Sequence, residues 1–462
     1  MKKCVYPTII YCALWCFTAV QAEVHEFSLD NGLKLLVKVD HRAPIVVSQV
    51  WYKVGSSYEH DGITGISHAL EHMMFKGTKK NPKGEFSRII SANGGEENAF
   101  TGTDYTAYFQ TLEKSRLAIS LELEADRMRN LTVPDEEFIK EIKVVREERR
   151  MRTEDNPGAF AREVALATAY QTSPYRQPVV GWMADLHSMR AEDLRDWYRQ
   201  WYAPNNATLV IAGDVEPPKV YKLVKKYFGK LKAEKIVLPA VNREVEQHGI
   251  KRVVVKRPAE VPQIQMAYKI PVLRTALAGP DKTLAWEPYA LEVLAGVLDG
   301  GNSARFASRL VRGKEIASNV GVGYPLTSRL NDVFTFSGTP ARGISADQLE
   351  LAIREEISDL QNERVSDEEL ERVKAQVVSS DIYEKDSVFY QAMILGILET
   401  VGLSWKIVDE YVERVQAVTA DQVQAVAKKY FVDDRLTVAV LEPLPMDPNK
   451  RRAGNGGAHH GH

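Results

Sequence analysis

Short stretches of alternating hydrophobic and polar residues predict β-strands early in the chain. Leu33–Val39 (LKLLVKV) and Val46–Val54 (VVSQVWYKV) are two such stretches, and longer stretches with helical periodicity follow them. Alternating strands beside grouped amphipathic helices are typical of an antiparallel sheet that helices cover on one face. The pattern therefore predicts an α+β fold.

An internal repeat indicates a duplication. Arg190–Thr208 (RAEDLRDWYRQWYAPNNAT) matches Thr419–Thr437 (TADQVQAVAKKYFVDDRLT) at a shift of 229 positions. Pro134–Glu148 matches Ser366–Ser380 at a shift of 232 positions. Two blocks in the same order and at nearly the same offset predict two homologous halves in tandem.

The division of the chain follows from this repeat. We expect an N-terminal half at 23–235, a linker at 236–246 that contains Pro239, and a second half at 247–446. The remaining residues, 447–462, end in GNGGAHHGH. For this Gly/His-rich tail, a flexible segment is the preferred interpretation over a metal-binding one.

Composition excludes several classes of function. The 462 residues are 44% hydrophobic and 26% charged, as in soluble globular proteins. With 60 basic and 62 acidic residues, the net charge of −2 leaves no basic excess for a nucleic acid partner. Beyond the first twenty-odd residues, no apolar run is long enough to cross a bilayer.

The N-terminus reads as a secretory signal peptide over residues 1–22. Lys2 and Lys3 precede an apolar stretch, and small residues suit cleavage after Ala22. An uncleaved anchor is the alternative, but the stretch is short for one. We therefore expect export to the periplasm or the exterior of a bacterium. All three cysteines lie in this segment, so the mature chain has no thiol nucleophile, cysteine zinc site or disulfide.

Candidate chemistry is concentrated in the segment HALEH. His68 and His72 are four residues apart, so on a helix both side chains can face one metal ion. Glu71 falls on the same face but is too close along the helix to complete a tetrahedron. It is better placed to take a proton from the hydrolytic water. The segment therefore predicts a zinc-dependent peptidase.

A third protein ligand is required from another element. The predicted helix from Asp135 to Arg152 offers Glu141, Glu147 and Glu148. Glu141 and Glu148 are seven residues apart and share a face, whereas Glu147 points about 100° away. We assign Glu148 as the ligand and Glu141 as a carboxylate that orients a ligand histidine.

The second half lacks these groups. At the matching shifts, Ser380 replaces Glu148 and Val373 replaces Glu141. The counterpart of the histidine helix, Leu291–Gly301 (LEVLAGVLDGG), has no histidine. Duplication followed by loss of a site explains this difference, whereas random surface chemistry does not.

These motifs resemble the inverted-motif zinc peptidases, the family of pitrilysin, insulin-degrading enzyme and mitochondrial processing peptidase. HALEH is followed 76 residues later by Glu148 in VVREERRMRTEDNP. Gly62–Thr78 (GITGISHALEHMMFKGT) and Gly94–Phe109 (GGEENAFTGTDYTAYF) also look like its signature blocks. The likeness runs from about Asn31 to Pro443.

The resemblance implies a clam-shell of two halves that takes in unfolded peptides. It also implies one zinc ion per chain, held by His68, His72 and Glu148, with Glu71 as the general base. Glu141 matches an additional acidic residue of the family. Asn98 and Ala99 match the strand edge to which the substrate backbone adds, although a plain strand-turn element explains them equally well.

One position departs from the family pattern. Members that work as single polypeptides have an Arg and, seven residues later, a Tyr in the second half. Arg312 fits the first position, but Asn319 stands at the second, and Tyr324 is five residues too far. In two-chain members an inactive partner supplies this pair. The departure thus predicts the zinc-bearing subunit of a heterodimer, or otherwise a homodimer.

Two other functions stay open. A dedicated leader-processing peptidase would carry the same site as a general degrader of peptides. A non-catalytic binding or assembly subunit could keep the fold alone, but the retention of HALEH and Glu148 in one half argues against it.

Overall fold

The computed structural model describes residues 23–240 and 243–446. The predicted signal peptide and Gly/His tail lie outside these residues, as do two positions of the predicted linker. Within the described residues, no helix is long and apolar enough to cross a membrane.

The first half of the structure is a six-stranded sheet with eight helices. The strands follow the order β1-β2-β6-β3-β5-β4. Their bounds are β1 Val24–Ser28, β2 Lys34–Val39, β3 Ile45–Tyr52, β4 Glu96–Thr101, β5 Thr106–Glu113 and β6 Ala207–Gly213. The helices are α1 Ile66–Met74, α2 Glu85–Ala92, α3 Leu117–Asn130, α4 Asp135–Arg149, α5 Pro157–Ala169, α6 Met183–Ser188, α7 Ala191–Trp201 and α8 Pro217–Phe228.

The second half repeats this plan with five strands in the order β7-β11-β8-β10-β9. These are β7 Lys251–Pro258, β8 Gln263–Ile270, β9 Ala317–Gly323, β10 Asp332–Pro340 and β11 Leu436–Leu444. The helices are α9 Leu273–Ala278, α10 Glu287–Asp299, α11 Ala346–Asn362, α12 Asp367–Glu384, α13 Val388–Val401, α14 Ile407–Gln416 and α15 Ala420–Tyr430.

The two sheets correspond strand by strand. The order β2-β6-β3-β5-β4 of the first sheet equals β7-β11-β8-β10-β9 of the second. The predicted α+β fold of two tandem homologous halves is therefore confirmed. Each half has its own apolar core between the sheet and its helices.

Neither sheet is purely antiparallel, which corrects one detail of the prediction. β6 pairs parallel with β2, and β11 pairs parallel with β7. The reason is geometric, since β6 inserts between β2 and β3, and β11 inserts between β7 and β8. β2 and β3 run in opposite directions. A strand between them that is antiparallel to β3 must therefore run parallel to β2.

Helices also cover both faces of each sheet, not one. From the second half, α13 packs Ala392 and Leu395 against the outer face of the first sheet, beside Trp51 and Val210. From the first half, α5 packs on β7, β8 and β11 of the second sheet. Because the strands are apolar on both faces, as in the fully buried β6, each sheet needs this second layer. The halves thus exchange one helix each.

Candidate metal centre

The helix α1 begins at a tightly packed glycine and a buried carboxylate. Gly65 has a φ of 84°, and a Cβ atom there would lie 2.5 Å from the carbonyl oxygen of Val180. The backbone N–H groups of Gly65 and Ser67 donate to the Glu59 carboxylate at 2.6 and 2.9 Å. A carboxylate at a helix N-terminus satisfies free N–H groups and complements the helix dipole. Glu59 therefore fixes where α1 starts.

The sequence pattern of α1 separates its apolar and polar residues by face. Its buried apolar side chains join the core of the first half; they are Ile66, Ala69, Leu70, Met73 and Met74. His68 and His72 reach Glu148 of α4, and Glu71 reaches Thr101 at the end of β4. The apolar side chains of α1 therefore pack into the core and leave the three predicted site residues outside it.

His68 and His72 converge with Glu148 of α4. The Nε2 atoms of His68 and His72 lie 3.7 and 3.3 Å from Glu148 Oε2. One ligand atom from each residue fits within 4.8 Å of the others. With zinc–ligand bonds near 2.0–2.2 Å, neighbouring ligand atoms of a tetrahedral site lie about 3.4 Å apart. The three side chains, only 10–16% exposed, thus have the donor types and the spacing that suit a zinc ion.

Glu141 lies behind His72, as the sequence predicted. Glu141 Oε1 is 3.3 Å from His72 Nδ1, and its Oε2 accepts a hydrogen bond of 2.7 Å from Lys76 Nζ. A proton on Nδ1 leaves the Nε2 lone pair free for a metal. His68 Nδ1, by contrast, is buried without a hydrogen-bond partner among the described residues.

Glu71 is near the ligand cluster and is held by a residue of β4. Its Oε2 atom accepts a hydrogen bond of 2.5 Å from Thr101 Oγ1 at the end of β4. Burial raises the pKa of the Glu71 carboxyl, and the Thr101 hydroxyl opposes this effect. A carboxylate with a raised pKa, held beside the ligands, is suited to general base chemistry.

The charges of the cluster respond to one another. Burial lowers the pKa of His68 to about 4, with help from the neighbouring His72. Burial also lowers the pKa of His72, but Glu141 and Glu148 outweigh it and raise the value to about 9. Against the raising effect of burial, His72 brings the pKa of Glu141 and of Glu148 down to about 2. Both carboxylates are therefore ionised near neutral pH and available to a cation.

Four further residues at this site escaped the sequence analysis. Arg152 Nη1 contacts Glu148 Oε1 at 2.7 Å, while Lys76, Thr101 and Glu59 have the roles described above. Arg152 is four residues after Glu148, so helical spacing could have identified it. Thr101 and Glu59 make contacts that only the tertiary fold creates.

Asn98 and Ala99 lie on β4, the edge strand of the first sheet. They pair with Phe109 and Tyr108 of β5, and the other side of β4 pairs with no strand of the described chain. The same strand ends at Thr101, the partner of Glu71. A peptide that adds to this edge would thus run towards the candidate base.

The three second-half positions are not part of the metal cluster. Arg312 is exposed after a π-helical turn and donates to the carbonyl oxygen of Asn302. Asn319 is exposed on the edge strand β9, opposite Thr339. The Tyr324 hydroxyl donates to the carbonyl oxygen of Pro271 at 3.1 Å. Across 23–240 and 243–446, no hydrogen bond or ion pair joins these residues to the cluster.

Two family models match successive parts of the chain. Residues 34–181 match "Insulinase (Peptidase family M16)", and residues 188–377 match "Peptidase M16 inactive domain". The metal cluster lies within the first match, whereas Leu291–Gly301 and Val373 lie within the second.

Similar proteins carry zinc protease names. Zinc protease PqqE of Helicobacter pylori is 31% identical over 426 residues, which cover 90% of this chain and 92% of that protein. A probable β subunit of mitochondrial-processing peptidase from Arabidopsis thaliana is 26% identical, with 92% of this chain and 80% of that protein covered. The crystal structure of a protease from Helicobacter pylori superposes with a TM-score of 0.85 at 29% identity, over 91% of this chain and all of that one. This chain belongs to peptidase family M16.

Proposed function

We propose that this protein is a zinc-dependent endopeptidase that cleaves unfolded peptides or small proteins. The observation that carries the proposal is the convergence of His68, His72 and Glu148, whose ligand atoms lie within 4.8 Å of one another beside Glu71. The zinc protease names of the relatives support the same chemistry.

The residues of the chain have separate roles in this proposal. His68 Nε2, His72 Nε2 and Glu148 hold one zinc ion, and Glu141 fixes the tautomer of His72. When bound, zinc supplies Lewis acidity, which activates water near neutral pH and polarises a peptide carbonyl. Glu71 takes the proton of the attacking water and delivers it to the leaving amine. Thr101 holds the Glu71 carboxylate in place.

Substrate binding is assigned to the free edge of β4. An extended peptide would form backbone hydrogen bonds along Asn98 and Ala99 and become an additional strand. Such binding demands an extended substrate, and this demand favours unfolded peptides over folded proteins. Arg312 is assigned to the substrate as well, from the second half.

A leader-processing peptidase is the second candidate. The similarity to a protein named as a mitochondrial-processing peptidase subunit favours it. The two candidates differ in selectivity. A degrader cuts many members of a peptide library, whereas a processing enzyme cuts one sequence class.

We also propose a partner chain and export. Because Asn319 stands where a Tyr is expected, the purified chain should be weakly active, and a related chain without HxxEH should restore the rate. Full activity of a monomer would contradict this part of the proposal. Export with cleavage after Ala22 predicts that the mature protein begins at Glu23, which N-terminal sequencing of the secreted material tests.

The central test combines zinc analysis with a peptide-library digest. Glu71→Gln should keep zinc and lose cleavage by about 10²–10⁴-fold, the usual contribution of a general base. Glu147→Gln is the matched control, since Glu147 lies on α4, one residue before the ligand, and is exposed. The proposal fails if the wild type holds no zinc or if Glu71→Gln cuts as fast as the wild type.

A further inference from the structure

A buried polar cluster joins the two halves at the turn between β4 and β5. We call it the inter-half cluster; it consists of Ser57, Tyr58, Asp104, Tyr175 and Arg329. Arg329 is the only member from the second half, and it reaches across the boundary. Its Nε atom donates to Asp104 Oδ1 at 3.1 Å, and its backbone N–H donates to Asp104 Oδ2 at 3.0 Å.

The remaining members complete the hydrogen bonding of this ion pair. Ser57 Oγ donates to Asp104 Oδ1 at 2.7 Å and accepts from Arg329 Nη2 at 2.8 Å. The Tyr175 hydroxyl donates to Asp104 Oδ2 and accepts from the backbone N–H of Leu330 at 3.0 Å. The Arg329 guanidinium also lies 4.2 Å from the centre of the Tyr58 ring. A buried ion pair is costly unless its geometry is complete, and these hydrogen bonds satisfy both carboxylate oxygens of Asp104.

The cluster continues into the segment that starts α1. The backbone N–H groups of Ser56 and Ser57 donate to the carbonyl oxygens of Gly102 and Thr103 at 3.3 and 2.8 Å. Gly55 packs so closely here that a Cβ atom would lie 2.4 Å from the Gly102 oxygen. Two residues after Ser57, Glu59 accepts the N–H groups at the start of α1. The turn thus supports the helix that carries both ligand histidines.

The cluster also continues into the candidate base. Thr101, which holds Glu71, lies three residues before Asp104 on the same hairpin. The Gly102 N–H donates to the Tyr105 carbonyl at 2.8 Å and closes the turn between them. A shift of Asp104 would therefore move Thr101 together with the Ser56–Glu59 segment.

We propose that Arg329 is a positioning residue for the metal centre, although it touches neither metal nor substrate. By fixing Asp104 and Ser57 from the second half, it holds Glu71 and the start of α1 in register with Glu148. The proposal rests on the proposed peptidase function. It gives the second half, which has no ligands of its own, a physical task at the active site of the first.

The competing explanation is that Arg329 merely joins the halves. Arg305 provides a matched control, because it is 7% exposed against 8% for Arg329. It forms a bidentate pair with Glu369 at 3.0 and 2.8 Å, within the second half. If Arg329 has a purely structural role, Arg329→Met and Arg305→Met should both lower the unfolding temperature, and both should leave kcat unchanged.

The test measures kcat, KM and zinc affinity of full-length variants by peptide cleavage and chelator competition. We expect Arg329→Met to lower kcat by about 10–100-fold, since displacements near 1 Å cost this much, with KM changed less. Arg329→Lys should recover part of the loss, and Arg305→Met should keep kcat within twofold. A kcat of Arg329→Met within twofold of wild type would overturn the proposal.

Two further measurements keep the proposal decidable. If Arg329→Met does not fold, Ser57→Ala removes only the hydroxyl between Arg329 and Asp104, and an unchanged kcat there overturns the proposal.

Amide hydrogen exchange reports on positioning without catalysis. Faster exchange of α1 and the β4–β5 turn is expected in Arg329→Met and not in Arg305→Met, and equal exchange overturns the proposal. A wild type without zinc or cleavage would instead refute the proposed function, and the exchange result then decides the positioning role alone.

Discussion

The two halves place equivalent helices side by side, α1 against α4 and α10 against α12, and fill the space between them differently. In the first pair, His72 meets Glu141 and Glu148. In the second pair, Gly296 packs so closely on Val373 that a Cβ atom would lie 2.6 Å from its Cγ1 atom. The first interface encloses a cluster of ionisable groups, whereas Gly296 and Val373 close the second by apolar contact at the corresponding position.

The contact between Gly296 and Val373 also aligns α10 with α1. Val373 corresponds to Glu141 in the repeat, so Gly296, which packs on Val373, takes the place of His72. One turn earlier, Glu292 takes the place of His68. Burial raises the pKa of Glu292 to about 7, whereas Glu148 and Glu141 are held near 2 by His72.

The difference teaches that the fold does not need a histidine–carboxylate cluster between these helices. The second half packs without such a cluster, and buried polar groups cost stability unless they are paired. The first half retains five such groups, and perturbed pKa values of this kind cluster at functional sites. Exchanging residues between the two interfaces therefore tests what each interface does.

The largest effect is expected for Glu148→Ser, which gives α4 the residue that α12 has at Ser380. Loss of a residue that only orients a metal ligand costs roughly 10–100-fold in metal affinity. Loss of the ligand Glu148 itself should therefore lower zinc affinity by more than about 100-fold. Cleavage should disappear with the metal. Chelator competition and the peptide digest measure both, and zinc binding at wild-type affinity would show that Glu148 is no ligand.

A smaller loss is expected for Glu141→Val, the exchange that copies Val373. His72 Nδ1 loses its carboxylate partner, and zinc affinity should fall roughly 10–100-fold. Excess zinc should restore most of the cleavage. Lys143→Val on the exposed face of α4 is the control. An equal loss of zinc affinity in this variant would show that Glu141 has no specific role.

A pH-dependent effect is expected for Glu292→Gln. The carboxyl pKa rises from 4.5 to about 7 on folding, so with rising pH the unfolded chain loses this proton first. The wild type should therefore lose stability between about pH 4.5 and 7 relative to the variant. Above pH 7 the variant should be more stable by about 1–3 kcal/mol. Urea unfolding of both proteins at pH 4 and 8 measures this, and a constant difference would contradict it.

The close approach of α10 and α12 predicts that Gly296→Ala is destabilising. Overpacking against Val373 costs about 1–3 kcal/mol, and the better helix propensity of Ala returns about 1 kcal/mol. The net loss should be up to about 2 kcal/mol in chemical unfolding. Val373→Ala in the same chain should relieve the contact, and purely additive effects would refute it.

The smallest effect is expected for Ser380→Glu, the reverse of the first exchange. Ser380 is exposed, so stability should change by less than about 0.5 kcal/mol. No second zinc should bind, because α10 offers no histidine. A second equivalent of zinc in metal analysis would mean that the second half kept more of the site than its residues suggest.

Much of this protein could be predicted from local sequence patterns. The repeat at shifts of 229 and 232 positions predicted two halves, and the sheets correspond strand by strand. Helical spacing predicted that His68, Glu71 and His72 share a face, because four residues complete about one turn. The structure brings Glu148 to them, while the assignment of zinc to this cluster stays a prediction.

Other features depended on which segments meet in three dimensions. The parallel strand pairs arise because β6 inserts between β2 and β3, and β11 between β7 and β8. The exchange of α5 and α13 depends on the apolar outer faces of the two sheets. The sequence of a single strand does not show which helix will cover such a face.

Glu59, Thr101 and Arg329 lie 12, 30 and 258 positions from Glu71, and no periodicity connects them to it. Sequence by itself predicted two homologous halves and a candidate set of metal ligands, His68, His72 and Glu148. Only the tertiary structure decided which distant polar groups contact this set and its supporting segments. Hydrogen bonds and ion pairs between elements depend on side-chain geometry, and local sequence patterns do not encode that geometry.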